Sequence, residues 1–213
     1  MKRTTLTSLI TAATITLTML SAAPAMATRS FTPAATLSEA EAVAKQTYGF
    51  IAYKSAGNYG KKIAKEQCLE RLNKINKEVS RVETAYGIEL PQVKVLYVTD
   101  RSRGFYNYTR DEIVFSTKRL EHTLRHEFGH VIDRRLEVTG REWKSLVKLM
   151  KEQYGFSPSK YANTNLEEYW AEAFAYYTAP GYGTSIEKFP AELESFIAKV
   201  MTQLQSPAML ASN

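Results

Sequence analysis

The chain carries one cysteine in 213 residues, so no internal disulfide can form. That residue, Cys68, falls in an apolar stripe and reads as a buried thiol. Histidine is nearly as scarce, with three copies that all lie between residues 122 and 130. Beyond the first thirty residues there is no long hydrophobic run, which argues against a multi-span membrane protein. No internal repeat or low-complexity tract is visible. With 44% hydrophobic and 23% charged residues the composition matches soluble globular proteins and fits neither disorder nor collagen.

The N-terminus departs from that pattern. Lys2 and Arg3 precede a Leu/Ile/Ala/Thr stretch from Leu9 to Ala23, followed by Ala25-Met26-Ala27, a small-x-small cleavage pattern. Residues 1–27 read as a Sec signal peptide, giving a secreted protein that begins after Ala27. The rival, a membrane anchor, is disfavoured because the stretch is short of the ~20 residues a bilayer needs and is studded with threonine. Loss of Lys2 and Arg3 lowers the formal charge of +6 by two. The remaining excess is concentrated in residues 61–81, at Lys61, Lys62, Lys65, Arg71, Lys74, Lys77 and Arg81, against Glu66, Glu70 and Glu78. A basic helix there suits nucleic acid or an anionic wall, but a solvated helix face explains it as well, and no nucleic-acid partner is expected.

Residues 28–213 are expected to form one domain, with helices and short strands over 28–117 and a helical part over 118–213. Thr36 and Glu39 make a capping box for a helix reaching about Ala52, broken by residues 55–60. Cys68, Leu72, Ile75, Val79, Val82 and Tyr86 recur at steps of four and three, a helix that stops at Gly87. Val93–Val98 reads as a strand. Phe105–Tyr108 and Glu112–Ser116, flanking Thr109-Arg110-Asp111, read as a hairpin.

Lys118 to about Glu137 reads as a helix, with Leu120, Leu124, Phe128, Ile132 and Leu136 on one side. Within it lies His126-Glu127-Phe128-Gly129-His130, an H-E-x-x-H motif. At 3.6 residues per turn the two histidines differ by ~40°, so their rings can converge on one ion, while Phe128 lies ~200° from His126. Glu127 is placed to hydrogen-bond a water on the metal. His122 is not expected to ligate the same ion as His130, because eight helical residues span ~12 Å. It reads as structural or as part of the rim.

A catalytic zinc takes three protein ligands and keeps one open position. With no histidine left, the third ligand is expected to be a carboxylate. Asn165–Tyr177 reads as a second helix with Trp170, Ala173, Phe174 and Tyr177 on its core side, and Glu168 and Glu172 one turn apart away from that stripe. Zinc for Glu168 and the imidazole N–H of a ligand histidine for Glu172 give both carboxylates a partner. Glu167 is explained as a first-turn carboxylate on the helix dipole. The strand Glu112–Ser116 is expected to be the edge on which an extended substrate adds. Tyr106, Tyr108 and Trp170 line the cleft or belong to the core.

The segments His126–Asp133 and Tyr161–Tyr177 resemble the catalytic domain of anthrax lethal factor and its small secreted relatives, the Pro-Pro endopeptidases. The resemblance is strong over residues 120–178. It implies a gluzincin metallopeptidase with one zinc on His126, His130 and Glu168, Glu127 as general base, Glu172 as support for the ligands, and Tyr161, seven residues before the glutamate ligand, as a transition-state stabiliser. Asp133 matches a family aspartate, for which a structural role is expected.

The fold class expected is α+β and zincin-like: a small sheet and hairpin preceding the H-E-x-x-H helix, then a mostly helical part ending with residues 190–205. The function expected is a secreted, monomeric zinc endopeptidase acting on extended peptide or protein substrates, with proline-rich sites implied by the resemblance. Two other readings stay open: a catalytically silent zincin-fold module that holds a peptide or cell-wall partner, and a basic surface-binding protein using residues 61–81.

Overall fold

The computed structural model describes residues 31–47, 52–54, 58–115 and 118–205. The expected leader, residues 1–27, and part of the break at 55–60 lie outside the described residues. Helix α1 (Leu37–Thr47) begins at the expected capping box, in which the Glu39 amide donates to Thr36 Oγ1 at 3.3 Å and the Thr36 amide to Glu39 Oε2 at 3.0 Å. The helix does not run on to Ala52, because Ala52–Lys54 forms strand β1, paired in parallel with β2 (Val95–Val98). Pairing between segments distant in sequence overrode the local helical reading.

Helix α2 (Lys65–Tyr86) connects β1 to β2, completing a β-α-β crossover. Its apolar stripe from Cys68 to Val82 is fully buried. Gly87 ends it at φ 60°, a left-handed cap that costs glycine nothing. The charged side of α2 is engaged within the chain: Lys74 pairs with Glu70, Arg71 donates to the Thr99 carbonyl, and Arg81 holds Glu78.

The expected hairpin forms from β3 (Phe105–Asn107) and β4 (Glu112–Phe115), antiparallel, with Asn107 Oδ1 accepting from the amides of Thr109 and Arg110 in the turn. Sheet order is β1-β2-β4-β3. This corrects one expectation. Strand β4 lies inside the sheet, paired on both sides, so it offers no free edge, and the edge nearest the H-E-x-x-H helix is β3.

That helix, α3 (Leu120–Leu136), is followed by α4 (Arg141–Gln153), α5 (Leu166–Tyr177) and α6 (Ala191–Gln203). Trp143, Val147 and Met150 of α4 are buried at steps of four and three, and the Trp143 indole donates to the Leu166 carbonyl at the start of α5. One core runs from Ala40 to Leu204 and takes in Trp170, which is 0% exposed and so belongs to the core rather than the cleft. The fold is α+β and mostly helical. Among the described residues no helix is long and apolar enough to cross a membrane.

Candidate metal centre

Helices α3 and α5 approach so closely at one point that only glycine fits. A Cβ on Gly129 would stand 2.8 Å from the Ala171 Cα, and the Trp170 indole donates to the Gly129 carbonyl at 2.8 Å. Asn165 fixes the start of α5 by accepting the Glu168 amide at 2.7 Å. The result sets Glu168 opposite the two histidines, which lie one turn apart on α3.

Three atoms then converge. His126 Nε2 lies 3.2 Å from His130 Nε2 and 3.1 Å from Glu168 Oε2, and His130 Nε2 lies 3.4 Å from Glu168 Oε2. Glu168 Oε2 is buried and accepts no hydrogen bond, although two imidazole nitrogens stand this close. Close approach without donor alignment is the geometry of lone pairs aimed at a common point. Ligand bonds of 2.0–2.1 Å in a tetrahedron give edges of about 3.3 Å, so the triangle is the right size for a zinc-sized ion. His126, His130 and Glu168 could hold a metal ion.

The hydrogen-bond partners settle which nitrogen is free. His126 Nδ1 lies 2.8 Å from Glu172 Oε1, and an ionised carboxylate only accepts, so Nδ1 keeps its proton and Nε2 is the nitrogen that offers a lone pair once the ring is neutral. His122 Nε2 lies 3.1 Å from the same oxygen and donates likewise. His122, His126 and Glu172 also bring ligand atoms within 4.8 Å of one another. Two ions, one at each cluster, would need both nitrogens of His126, and Nδ1 is already committed to Glu172. His122 is thus a neighbour of Glu172 at the edge of the site, in keeping with the structural or rim role expected of it.

Glu127 is 4% exposed. Tyr161 stands in a 3-10 turn (Tyr161–Asn163) ahead of α5, is 54% exposed, and donates to Glu168 Oε1 at 3.2 Å. His126, Glu127, His130, Tyr161 and Glu168 open on one cleft of about 360 Å³, with Tyr106 and Tyr108 along its β3 side. Asp133 also borders the cleft, but both its oxygens accept from Thr139, by the amide at 2.8 Å and the hydroxyl at 3.0 Å, so it fastens the end of α3.

Charge at the site is crowded. Burial pushes the Glu127 carboxyl up to about 7, with the neighbouring histidines pulling the other way. Burial also works against the Glu168 carboxylate, but His126 and His130 outweigh it and bring that group down to about 2. The His126 ring, disfavoured as a cation by its burial, is nevertheless held up to about 10 by Glu168 and Glu172. A cleft with one raised carboxyl beside a cluster of strongly perturbed groups marks a candidate functional site.

Residues 107–184 match the family model of the anthrax toxin lethal factor, N- and C-terminal domain. The match spans β4, the metal cluster and the Tyr161 turn, and it supports a lethal factor-like family for this part of the chain. A comparison with curated proteins finds no match.

One contact that shapes the site escapes a reading of the sequence. Gly104, whose Cβ would stand 2.4 Å from Thr123 Cγ2 and 3.3 Å from Glu127 Oε1, shows its purpose only once β3 is placed against α3.

Proposed function

We propose that the protein is a zinc metallopeptidase of the gluzincin type, with zinc held by His126, His130 and Glu168. The observation that carries this reading is the triangle of lone-pair atoms at 3.1, 3.2 and 3.4 Å, with the buried Glu127 opening on the same cleft. The lethal factor-like match over residues 107–184 supports it independently.

The metal supplies Lewis acidity toward water and the scissile carbonyl. Glu127, buried and opening on the same cleft, takes the proton from the attacking water and returns it to the leaving nitrogen. Tyr161 presents its hydroxyl from the exposed lip of the cleft, where it can turn from Glu168 Oε1 to the oxyanion as charge develops there. Glu172 holds the His126 ring in the tautomer that leaves Nε2 free.

An extended substrate adds along β3, whose outer edge borders the cleft. The leader-like residues 1–27 favour action outside the cell on extracellular proteins, and the resemblance favours proline-rich sites. Proline's fixed φ lowers the entropy lost on binding in an extended groove. Digestion of an unbiased peptide library, with Glu127→Ala as the blank, tests both levels. Cuts flanked by proline are expected; cuts between bulky apolar residues would remove the proline preference, and no cuts at all would remove the peptidase.

A further inference from the structure

Two arginines stand in the last turn of α3, and only one is engaged by the fold. Arg135 donates to Asp111 Oδ2 at 2.9 Å and to the Gln92 carbonyl at 3.1 Å. Arg134 is exposed and makes no ion pair or hydrogen bond among the described residues. It nevertheless borders the cleft that holds the metal cluster. Four residues after His130, it stands one turn further along the face of α3 that carries the metal ligands, about 6 Å on along the helix axis.

Among the described residues that line the cleft, Arg134 is the only one with a permanent positive charge. Apart from Glu127 and the metal cluster, the lining has two carboxylates, and neither answers that charge. Asp133 turns both oxygens to Thr139, and Glu167 at the start of α5 forms no ion pair with Arg134. A basic residue in the last turn of a helix favours the helix dipole, which Arg135 does as well. The dipole explains a charge near the helix end but not a guanidinium left open toward the metal cluster. Such a group suits a carboxylate, which it binds through two parallel N–H donors.

We infer that Arg134 is a specificity-determining residue that receives a carboxylate of the peptide two or three residues from the scissile bond. The inference rests on the peptidase reading. An extended chain advances about 3.3 Å per residue, so the step of about 6 Å from His130 to Arg134 corresponds to about two residues, and the length of the arginine side chain admits a third. The carboxylate belongs either to an Asp or Glu side chain or to the C-terminus of the peptide.

The experiment digests an unbiased peptide library with wild type, Arg134→Ala and Arg134→Glu, each loaded with zinc, and repeats the digestion with the library amidated at its C-termini. Wild type should favour a carboxylate at one position two or three residues from the cut. A preference that persists in the amidated library assigns the group to a side chain, and one lost there assigns it to the C-terminus. Arg134→Ala should lower kcat/KM for the favoured peptides about tenfold, and Arg134→Glu should favour Lys or Arg at the same position. Cleavage without any carboxylate preference in wild type, or a preference that survives in Arg134→Glu, overturns the inference and leaves the peptidase reading standing. If wild type cuts nothing, the peptidase reading falls, and retention of acidic peptides on immobilised zinc-loaded wild type against Arg134→Ala decides the inference: equal retention overturns it.

Discussion

Gly129→Ala sets two opposed effects against each other at the centre of the site. Alanine favours an isolated helix over glycine by about 1 kcal/mol, so α3 considered alone would gain stability. Against α5 the added methyl meets the Ala171 Cα at 2.8 Å, and the Ala171 Cβ and carbonyl oxygen each at 3.3 Å. Carbon atoms rest about 3.5–4.0 Å apart, so the helices must separate by roughly 0.7 Å or more at this point. The obstructing atoms are largely backbone, which cannot swing aside, and overpacking of this kind costs about 1–3 kcal/mol. A net loss of about 1 kcal/mol is expected, a fall in Tm of roughly 2–4 °C for a chain of this size.

The metal site should suffer more than the fold. His126 and His130 ride on α3 and Glu168 on α5, at present 3.1 and 3.4 Å apart across the gap. Metal-ligand distances tolerate about 0.2 Å, so a separation of 0.7 Å exceeds the tolerance roughly threefold. Zinc affinity is therefore expected to fall by about 10- to 100-fold, measured by chelator competition beside thermal unfolding of the metal-free protein. A Gly129→Ala protein with raised Tm and unaltered zinc Kd would show that the helix contact does not set the ligand triangle.

Other predictions concern protons and rates. In the metal-free chain His126 is held up to about 10, so near pH 7 it carries a proton that zinc must displace. The raised value stabilises the metal-free fold below about 6.5, an effect lost as pH rises through 10, while zinc affinity strengthens about tenfold per pH unit over that window. Titration calorimetry in two buffers of different ionisation heat should find about one proton released per zinc at pH 7; release of none would refute the assignment of His126. Tyr161→Phe should lower kcat much more than it alters KM, and an unchanged kcat would remove the hydroxyl from the mechanism. Glu127→Ala should retain zinc and fold while losing nearly all hydrolysis, so that residual cleavage near the wild-type rate would assign the base elsewhere.

Elements with strong periodicity were legible in the sequence because a helix that buries one face must repeat its apolar residues. The stripe from Cys68 to Val82 and the stop at Gly87 are of this kind, and so is the capping box at Thr36. The pairing of His126 with His130 follows from helical geometry alone, and the placement of Glu168 beside them from the lack of any further histidine. What was not legible depends on contacts between segments far apart in the chain. Strand β1 has too few residues to show a period and exists through its pairing with β2. The sheet order, which makes β3 the edge and encloses β4, is set by that same crossover. Helix α4 had a signal in Trp143, Val147 and Met150, but it lies between two richer segments. His122 showed its partner only once α5 was packed against α3, since nothing within α3 could say that Glu172 would stand 3.1 Å from it.

The central claim is that three particular side chains hold one zinc in front of Glu127. Elemental analysis of purified wild type, Glu168→Ala and Glu167→Ala tests it most directly, since the two glutamates are adjacent in sequence and only one has an oxygen in the triangle. One equivalent of zinc in wild type and in Glu167→Ala, with a large loss in Glu168→Ala, is the expected result. Full occupancy in Glu168→Ala, or loss in Glu167→Ala instead, would contradict the site as assigned.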